Sequence, residues 1–358
     1  MTQVTIDDLL RFAVEQNASD LLVTVGAAPV VRVNGVLTKV PGTGQLGPDD
    51  AAALVTGTFT RDELGRQFAA VGEVDYSYSL EGVARFRMNA FHQRGSVGLV
   101  ARVIAARVPT MMDLGLPGAL VDLARREKGL VLVTGPTGSG KSTTLAAMID
   151  LINGERAAHI VTLEDPIEYL HQHKRSIVNQ REVGQDTQSF AAGLRAALRE
   201  APDVILVGEM RDPETIGIAL TAAETGHLVL ATLHTQDAAQ TVDRVIDVFP
   251  PAQQEQVRVQ LAGSIQGIVA QLLLPRADRP GRVAAFEILM ANPAVRNLIR
   301  EGKSHQLPSA IQTGTKYGMR TMEASLRELH AQGLISHEEF QVRLQAATGT
   351  YAAMLREP

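Results

Sequence analysis

The sequence predicts an α/β protein in which a small α+β domain with an antiparallel sheet precedes a larger domain with a mostly parallel sheet. A helical region is expected at the C-terminal end. Three observations support this prediction. Two predicted hairpins lie in the N-terminal part, short apolar strands alternate with helical stretches in the middle, and the chain is largely helical beyond about Gly281. The length of 358 residues agrees with roughly two domains.

The N-terminal elements are predicted from cap and turn residues. Thr5 and Asp8 have the spacing of a capping box, which predicts a first helix. Asn34 and Gly35 divide residues 30–40 into two strands, because both positions of a two-residue hairpin turn need positive φ. Three further strands are predicted at Tyr76–Leu80, Val83–Phe91 and Val97–Ile104. Together they predict the antiparallel sheet of the small domain.

A segment with Pro109 and Pro117 follows this domain and is predicted to be a linker. Beyond it, strands are predicted at Leu130–Val133, His159–Leu163, Val204–Val207 and Leu228–Thr232. Because helical stretches lie between these strands, we expect a mostly parallel sheet that is covered on both faces. The expected organisation is an N-terminal domain at 1–106, a linker at 107–117, a core at 118–280 and a helical C-terminal region at 281–358.

The segment VLVTGPTGSGKSTTL, residues 131–145, joins an apolar strand to a glycine-rich turn and a helix. Gly135, Gly140, Lys141 and Ser142 fill every fixed position of the pattern G-x-x-x-x-G-K-[ST]. Glycines let the backbone wrap round an anion, the lysine reaches the β- and γ-phosphates, and the serine hydroxyl suits Mg²⁺. We therefore expect ATP and Mg²⁺ to be bound by Gly135, Pro136, Thr137, Gly138, Ser139, Gly140, Lys141, Ser142 and Thr143.

Carboxylates follow two of the predicted strands, at the edge where the phosphate turn lies. In DVILVGEMRD, residues 203–212, Glu209 is expected to orient or deprotonate an attacking water. Gly208 stands where a magnesium-binding aspartate is usual. It is therefore open how Mg²⁺ binding and water activation are divided between Glu209 and Glu164. Glu164 and Asp165 end another strand, and we expect a magnesium or water contact from Glu164; the alternative is a capped turn.

In TGHLVLATLHT, residues 225–235, His227 and His234 stand at either end of a predicted buried strand. Their separation along a strand is too large for both to bind one metal ion. We expect two separate tasks: His234 senses the γ-phosphate and His227 lies at a subunit contact. Ordinary hydrogen-bonded histidines are the alternative.

Composition limits the classes of function. A net charge of −5, no Trp and 4% aromatic residues give no basis for a nucleic-acid partner. The absence of Cys excludes a disulfide framework and a thiolate zinc site. The N-terminus lacks a signal-peptide pattern, and no apolar run nears the roughly 18 residues needed to span a bilayer. A cytoplasmic location is therefore expected.

The segments GPTGSGKST, TLEDPIE, DVILVGEMRD and TGHLVLATLHT, in this order and spacing, resemble the Walker A, Asp, Walker B and His boxes of the secretion ATPases. AVRNLIREGKSHQ, residues 294–306, resembles the AIRNLIRE signature of PilT-type pilus retraction ATPases, and GMRTMEASL fits the same C-terminal region. The resemblance covers almost the whole chain. It implies a PAS-like N-terminal domain, a RecA-like ATPase core and a homo-hexamer that hydrolyses ATP to drive type IV pilus retraction and twitching motility.

The resemblance also implies roles for single residues. Glu209 becomes the catalytic glutamate, and Glu164 assists at the metal ion and the water. Arg87 and Arg102 match the N-terminal-domain arginines that reach the nucleotide phosphates in the family, and Arg296 belongs to the retraction signature. The implied partners are an inner-membrane pilus platform protein and an accessory paralogue, so the protein would lie at the inner face of the cell membrane.

Several alternatives stay open at this point. A PilU-like accessory motor shares the motifs, and so does a pilus assembly or type II secretion ATPase, although these relatives usually carry a four-cysteine zinc module. A RecA-like nucleic-acid translocase should show a basic groove or stacking aromatic residues. A non-catalytic scaffold is expected to lack Lys141 or Glu209, and a small-molecule kinase needs no ring.

Overall fold

The computed structural model describes residues 4–104 and 108–348, with side chains described as far as Ala346. The chain divides into two units, each of which is described by itself. Residues up to 104 together with 168–170 form the first unit, and residues 108–167 together with 171–348 form the second. The expected boundary between residues 106 and 107 lies outside the described residues.

The first unit is an α+β unit with one antiparallel sheet. Its elements are α1 Ile6–Glu15, β1 Asp20–Thr24, β2 Val30–Val33, β3 Val36–Lys39, α2 Pro48–Thr56, α3 Asp62–Val71, β4 Glu73–Leu80, β5 Ala84–Gln93 and β6 Ser96–Ile104. The strand order in the sheet is β3-β2-β1-β6-β5-β4. All neighbouring strands run antiparallel. The predicted antiparallel sheet is confirmed.

Local signals account for the first helix and the first hairpin. The Thr5 hydroxyl accepts from the Asp8 N–H at 3.2 Å, and the Asp8 carboxylate accepts from the Thr5 N–H at 3.0 Å. This reciprocal capping box satisfies amides at the start of α1 that have no partner within the helix. Asn34 and Gly35 have φ of 50° and 83°, as the turn between β2 and β3 requires. Both predictions are confirmed.

The second unit has a sheet covered by helices. Its elements are α4 Gly118–Ala124, β7 Gly129–Thr134, α5 Lys141–Glu155, β8 His159–Glu164, β9 Ile177–Glu182, α6 Phe190–Ala197, β10 Val204–Val207, α7 Pro213–Glu224, β11 Leu228–Leu233, α8 Ala238–Asp247, α9 Pro251–Ser264, β12 Ile265–Pro275, β13 Arg282–Met290, α10 Pro293–Arg300, α11 Leu307–Thr313, α12 Met322–Ala331 and α13 His337–Thr348. The strand order is β13-β12-β7-β11-β10-β8-β9. The central strands β7, β10 and β11 are buried along their whole length.

Strand direction in this sheet agrees with the prediction. Strands β12, β7, β11, β10, β8 and β9 are parallel to their neighbours, and β13 is antiparallel to β12 at the edge. Such an arrangement is typical of doubly covered α/β sheets, in which apolar strands alternate with crossover helices. The predicted mostly parallel sheet is therefore confirmed.

The helical C-terminal region begins later than expected. The sequence prediction places helices from about Gly281, but Arg282–Met290 forms β13, which pairs with β12 from Arg282 to Met290. The prediction was wrong here because RVAAFEILM is a short apolar run, and such runs do not distinguish a buried strand from a buried helix. From Pro293 onward the described chain is helical.

The segment GMRTMEASL attaches the C-terminal helices to this edge strand. Ile288 and Arg320 exchange backbone hydrogen bonds at 2.8 and 3.0 Å. The Phe286 N–H donates to the Ser325 hydroxyl at 3.0 Å, and the Thr321 side chain caps α12. The motif thus docks the start of α12 on β13.

Candidate active site

Four parallel strands end side by side and bring the candidate residues to one edge of the sheet. Leu233 of β11 lies opposite Thr134 of β7, and Val207 of β10 lies opposite both Ala231 of β11 and Leu163 of β8. The glycine-rich loop, His234 and Glu209 follow three of these strands, and Glu164 is the last residue of β8. The carboxyl edge of a parallel sheet is where ligands bind in such folds.

Three positions of the loop between β7 and α5 have a backbone conformation that favours glycine. Gly135, Gly138 and Gly140 have φ of 141°, 79° and 90°. A Cβ added at Gly135 would lie 2.3 Å from the backbone oxygen of Gln271, far inside any real contact distance. Open space surrounds the same position at Gly138, and the neighbouring Pro136, Thr137 and Gly138 form the exposed top of the loop. Gly135 and Gly140 are therefore favoured by both conformation and close packing, and Gly138 by conformation.

Lys141 is held against this loop. Its Nζ donates to the backbone oxygen of Gly135 at 2.8 Å and to that of Pro136 at 3.1 Å. Burial lowers the pKa of Lys141, and the negative charge of Glu209 acts in the opposite direction. The lysine and the glutamate are thus close enough to interact electrostatically.

Several observations fit a polyphosphate in the loop. Helix α5 begins at Lys141, and its N-cap Gly140 offers no side-chain cap, so the first-turn amides can face an anion. The hydroxyls of Thr134 and Ser139 are buried without a hydrogen-bond partner. Ser142 is exposed and Thr143 is half-buried in the first turn of α5. The donor set of hydroxyls, backbone amides and one lysine suits phosphate oxygens and a hard divalent cation.

Glu209 lies two residues beyond β10 and is the centre of a small charged cluster. Its Oε1 lies 2.6 Å from Nε of Arg211 and 3.0 Å from Nε2 of His234. Burial raises the pKa of Glu209, but the hydrogen bond from Arg211 and the charge of His234 outweigh burial, so its pKa lies below the ordinary value. The carboxylate is therefore kept ionised beside the phosphate loop, the state that a general base requires.

Gly208 explains why no aspartate stands at the end of β10. Its N–H donates to the Leu163 carbonyl at 2.7 Å. A Cβ at this position would lie 3.0 Å from that carbonyl oxygen and 3.3 Å from Cα of Glu164. A larger residue would push β8 away, so the close approach of the two strand ends favours glycine.

Glu164 is fixed at the end of β8. Its Oε1 accepts from the Thr162 hydroxyl at 2.6 Å and from Nε2 of Gln180 at 3.1 Å. The Thr162 side chain lies on the same face of β8, two residues back, and Gln180 comes from the neighbouring β9. The carboxylate is thus positioned at the strand edge that also carries Glu209.

The two histidines lie at opposite ends of β11. His234 contacts Glu209, as described above. His227 is bound within its own turn: Nδ1 lies 2.9 Å from the Ala222 carbonyl oxygen, and the His227 carbonyl accepts from Gly129 N–H at 3.0 Å. The structure therefore separates His227 from the carboxyl edge of the sheet, and its assignment to a subunit contact stays a prediction.

In the first unit, Arg87 and Arg102 lie directly opposite each other on β5 and β6. Both are exposed. Nε of Arg102 donates to Asp20 at 3.0 Å, and Nε of Arg32 lies 3.5 Å from the same carboxylate. One row of paired positions across β2, β1, β6 and β5 therefore carries Arg32, Asp20, Arg102 and Arg87, in that order. Arg87 and Arg102 are like charges that face each other across a strand pair, and such a pair disfavours folding.

Arg296, on α10, contacts the end of another helix. One guanidinium nitrogen donates to the carbonyls of Ala262 and Gly263, both at 2.8 Å, in the last turn of α9. Burial lowers the pKa of Arg296, and the charges of Arg126 and Arg300 add to this effect. A cation that binds free carbonyls at a helix C-terminus stabilises the helix. Arg296 therefore has a structural role, whatever else it does.

Two residues at this site were missed by the sequence prediction. Arg211 follows Glu209 by two positions in GEMRD, and an arginine so close to a candidate base was a usable signal. Gln271, which contacts the phosphate loop from β12, gave no signal, because β12 was not predicted and the contact spans 132 positions in the sequence.

Two further findings concern metal ions and membranes. Within residues 4–104 and 108–348, no group of three or more His, Cys, Asp or Glu side chains is arranged to hold a metal ion. Among the helices that the structure describes, none has the length and apolar character needed to cross a membrane.

Residues 112–348 match the family described as Type II/IV secretion system protein. Over 333 residues, 93% of this chain and 96% of the relative, the chain is 50% identical to the type IV pilus retraction ATPase PilT of Pseudomonas aeruginosa. It is 44% identical to the type IV pilus ATPase PilU of the same organism, over 93% of this chain and 87% of the relative. The crystal structure of the pilus retraction motor PilT with bound ADP superposes with a TM-score of 0.87 at 50% identity, covering 94% of this chain and 96% of that one.

Proposed function

We propose that this chain, which belongs to the Type II/IV secretion system protein family, is an ATPase that drives the retraction of type IV pili. The observation that carries the proposal is 50% identity to a pilus retraction ATPase along almost the full length of both chains. The geometry of the carboxyl edge supports the ATPase part, since a phosphate loop, a lysine and an ionised glutamate lie together there. An ADP-bound structure of similar fold supports the choice of nucleotide.

Hydrolysis would proceed by attack of water on the γ-phosphate. The loop from Gly135 to Ser142 and the first turn of α5 bind the phosphates, and Lys141 turns from the loop carbonyls to the phosphate oxygens. Glu209 orients the water and accepts its proton, while His234 and Arg211 hold the carboxylate in place. We also propose that His234 senses the γ-phosphate, because its contact with Glu209 connects the end of β11 to the end of β10.

Mg²⁺ would be held by the Ser142 hydroxyl, with Glu164 acting directly or through water. Bound there, it would neutralise charge on the phosphate oxygens. Pro136, Thr137, Gly138, Ser139, Gly140 and Thr143 complete the proposed nucleotide-binding loop.

The complete site is proposed to need a ring. The phosphate loop supplies one cation, Lys141, and Arg87 and Arg102 lie in the other unit. We propose that these two arginines stabilise the phosphate charge in a homo-hexamer, from the same or a neighbouring chain. His227 is assigned to a subunit contact.

The proposed partners follow from the similarity to PilT. The hexamer would act on an inner-membrane platform protein of the pilus machinery, at the cytoplasmic face of the membrane, together with an accessory paralogue. An accessory PilU-like role is the second candidate, because identity to PilU is 44% against 50% to PilT. No nucleic-acid partner and no zinc are expected.

Deletion of the gene separates these functions. Loss of a retraction motor should leave cells with more surface pili and without twitching motility, and expression of the wild-type chain should restore both. Cells without surface pili would point to pilus assembly instead.

Arg211→Ala should shift the acidic limb of the pH–rate profile to higher pH. Glu209 acts as a base only above its pKa, and Arg211 lowers that pKa against the effect of burial. Without Arg211 the pKa rises, so activity is lost earlier as the pH falls. Initial rates of ATP hydrolysis across the acidic range measure the shift. Arg125→Ala, which breaks an exposed ion pair with Glu155, is the control and should leave the limb in place. An unmoved limb in Arg211→Ala would remove Glu209 as the titrating base.

Arg296→Ala should abolish retraction while ATP hydrolysis and ring assembly persist. It should also lower the free energy of unfolding by about 1–3 kcal/mol, because two charge-assisted bonds to α9 are lost. Twitching assays, hydrolysis rates and thermal unfolding measure the three effects. Arg244→Ala, at an exposed position of α8 and outside the signature, controls for loss of charge. If hydrolysis disappears together with the fold, Arg296 serves packing alone.

A further inference from the structure

Gln271 of β12 contacts the phosphate loop and the helix that follows it. Its Nε2 donates to the backbone oxygen of Ser139 at 2.8 Å, and its Oε1 accepts from the Thr144 hydroxyl at 2.8 Å. A backbone carbonyl can only accept, so it must face the amide nitrogen, and this fixes the orientation of the side chain. Gln271 is 4% exposed. One buried side chain therefore ties the loop to α5.

The backbone of β12 also approaches the loop closely. Ala270 lies opposite Thr134 of β7, so Gln271 comes level with the first residue of the loop. A Cβ at Gly135 would lie 2.3 Å from the Gln271 carbonyl oxygen, and a Cβ at Gly140 would lie 2.8 Å from its Nε2. Both fixed glycines of the motif thus pack against this one residue.

The hydrogen bond to Ser139 sets the direction of the next amide. In a planar trans peptide the C=O of Ser139 and the N–H of Gly140 point in opposite directions. Because the carbonyl points to Gln271, the N–H of Gly140 points to the side of the loop that faces away from β12. The bond to Thr144 holds the first turn of α5 in the same frame. These backbone amides are the groups that bind phosphate in such loops.

We infer that Gln271 is a positioning residue for the nucleotide phosphates, acting through Ser139 and Thr144. The inference rests on the proposed function, since it requires that the loop bind a nucleotide. Gln271 needs no contact with the nucleotide itself. It holds the peptide between Ser139 and Gly140, and the start of α5, in the arrangement that binds phosphate.

Gln271→Met keeps the length and apolar stem of the side chain and removes both hydrogen bonds. ADP should bind about tenfold or more weakly, because the loss of a buried hydrogen bond leaves the loop free to turn its amides away. Titration calorimetry of the full chain with ADP measures the Kd, and thermal unfolding without nucleotide measures stability. Gln266→Met is the matched control: Gln266 lies near the start of β12, away from the phosphate loop, and its loss should leave the Kd unchanged.

The Thr144 pair tests the same role without touching Gln271. Thr144→Val removes the hydroxyl and should weaken ADP binding, whereas Thr144→Ser keeps it and should bind as the wild type does. If Gln271→Met does not fold, the two Thr144 variants provide the test: weaker ADP binding by Thr144→Val alone supports the inference, and equal binding by both variants contradicts it. A folded Gln271→Met that binds ADP within about twofold of the wild type would overturn the inference, as would an equal loss in Gln266→Met. A wild-type chain that binds no ADP would instead overturn the proposed function.

Discussion

Glu209→Gln should bind ATP with nearly normal affinity and turn it over roughly 10²-fold or more slowly. The amide oxygen can still accept from Arg211 and His234, so the local geometry is kept. What the variant loses is the ability to accept a proton from water. The effect should therefore appear in kcat, with little change in KM for ATP.

Steady-state rates and ADP titration on the same preparations measure this prediction. Glu155→Gln is a suitable control, because Glu155 pairs with Arg125 on an exposed face of α5 and its loss should leave kcat unchanged. Near-normal turnover in Glu209→Gln would transfer the catalytic role to Glu164, and Glu164→Gln would then be the inactive variant.

Arg102→Ala should fold, assemble and bind nucleotide, yet hydrolyse it as much as roughly 10³-fold more slowly. Asp20 is buried, but without Arg102 it still accepts from the Ser19 hydroxyl at 2.8 Å and lies 3.5 Å from Nε of Arg32, so its carboxylate is not left without a partner. Loss of the fold is therefore not expected. Arg87→Ala should act in the same direction, since Arg87 faces Arg102 across the strand pair.

Arg32→Ala is the matched control, because Arg32 pairs with the same aspartate but is not assigned to the phosphates. If Arg32→Ala is equally slow, the loss reflects the sheet and not a phosphate contact. The same account requires that wild-type specific activity rise with protein concentration until rings form. A dilute monomer that hydrolyses ATP at the full rate would contradict the shared site.

Local signals in the sequence were sufficient for much of the fold. The capping box at Thr5, the Asn34-Gly35 turn and the glycine pattern from Gly135 act within a few residues, and their physical requirements can be read directly. The order of strands along the chain also places Glu209, Glu164 and His234 at one edge, once a parallel sheet is assumed. The cap, turn and loop predictions succeed because each signal involves only residues that are close together in the sequence.

The rest depends on contacts between distant parts of the chain. Strand β13 looks like any short apolar run until β12 lies beside it. The glycine at position 208 has a reason only when the end of β8 comes within 3.0 Å. Gln271 resembles an ordinary strand residue, and its place behind the phosphate loop follows from the parallel pairing of β12 with β7. No pattern within a short window carries that information.

The central claim is that ATP hydrolysis by this chain powers pilus retraction. Its most direct test is to label pili fluorescently on living cells whose only copy of the gene carries Glu209→Gln, and to count extension and retraction events. We predict that pili extend normally, that retraction events are lost, and that the wild-type gene restores them. Retraction at the normal rate in these cells, or failure of pili to extend, would contradict the account.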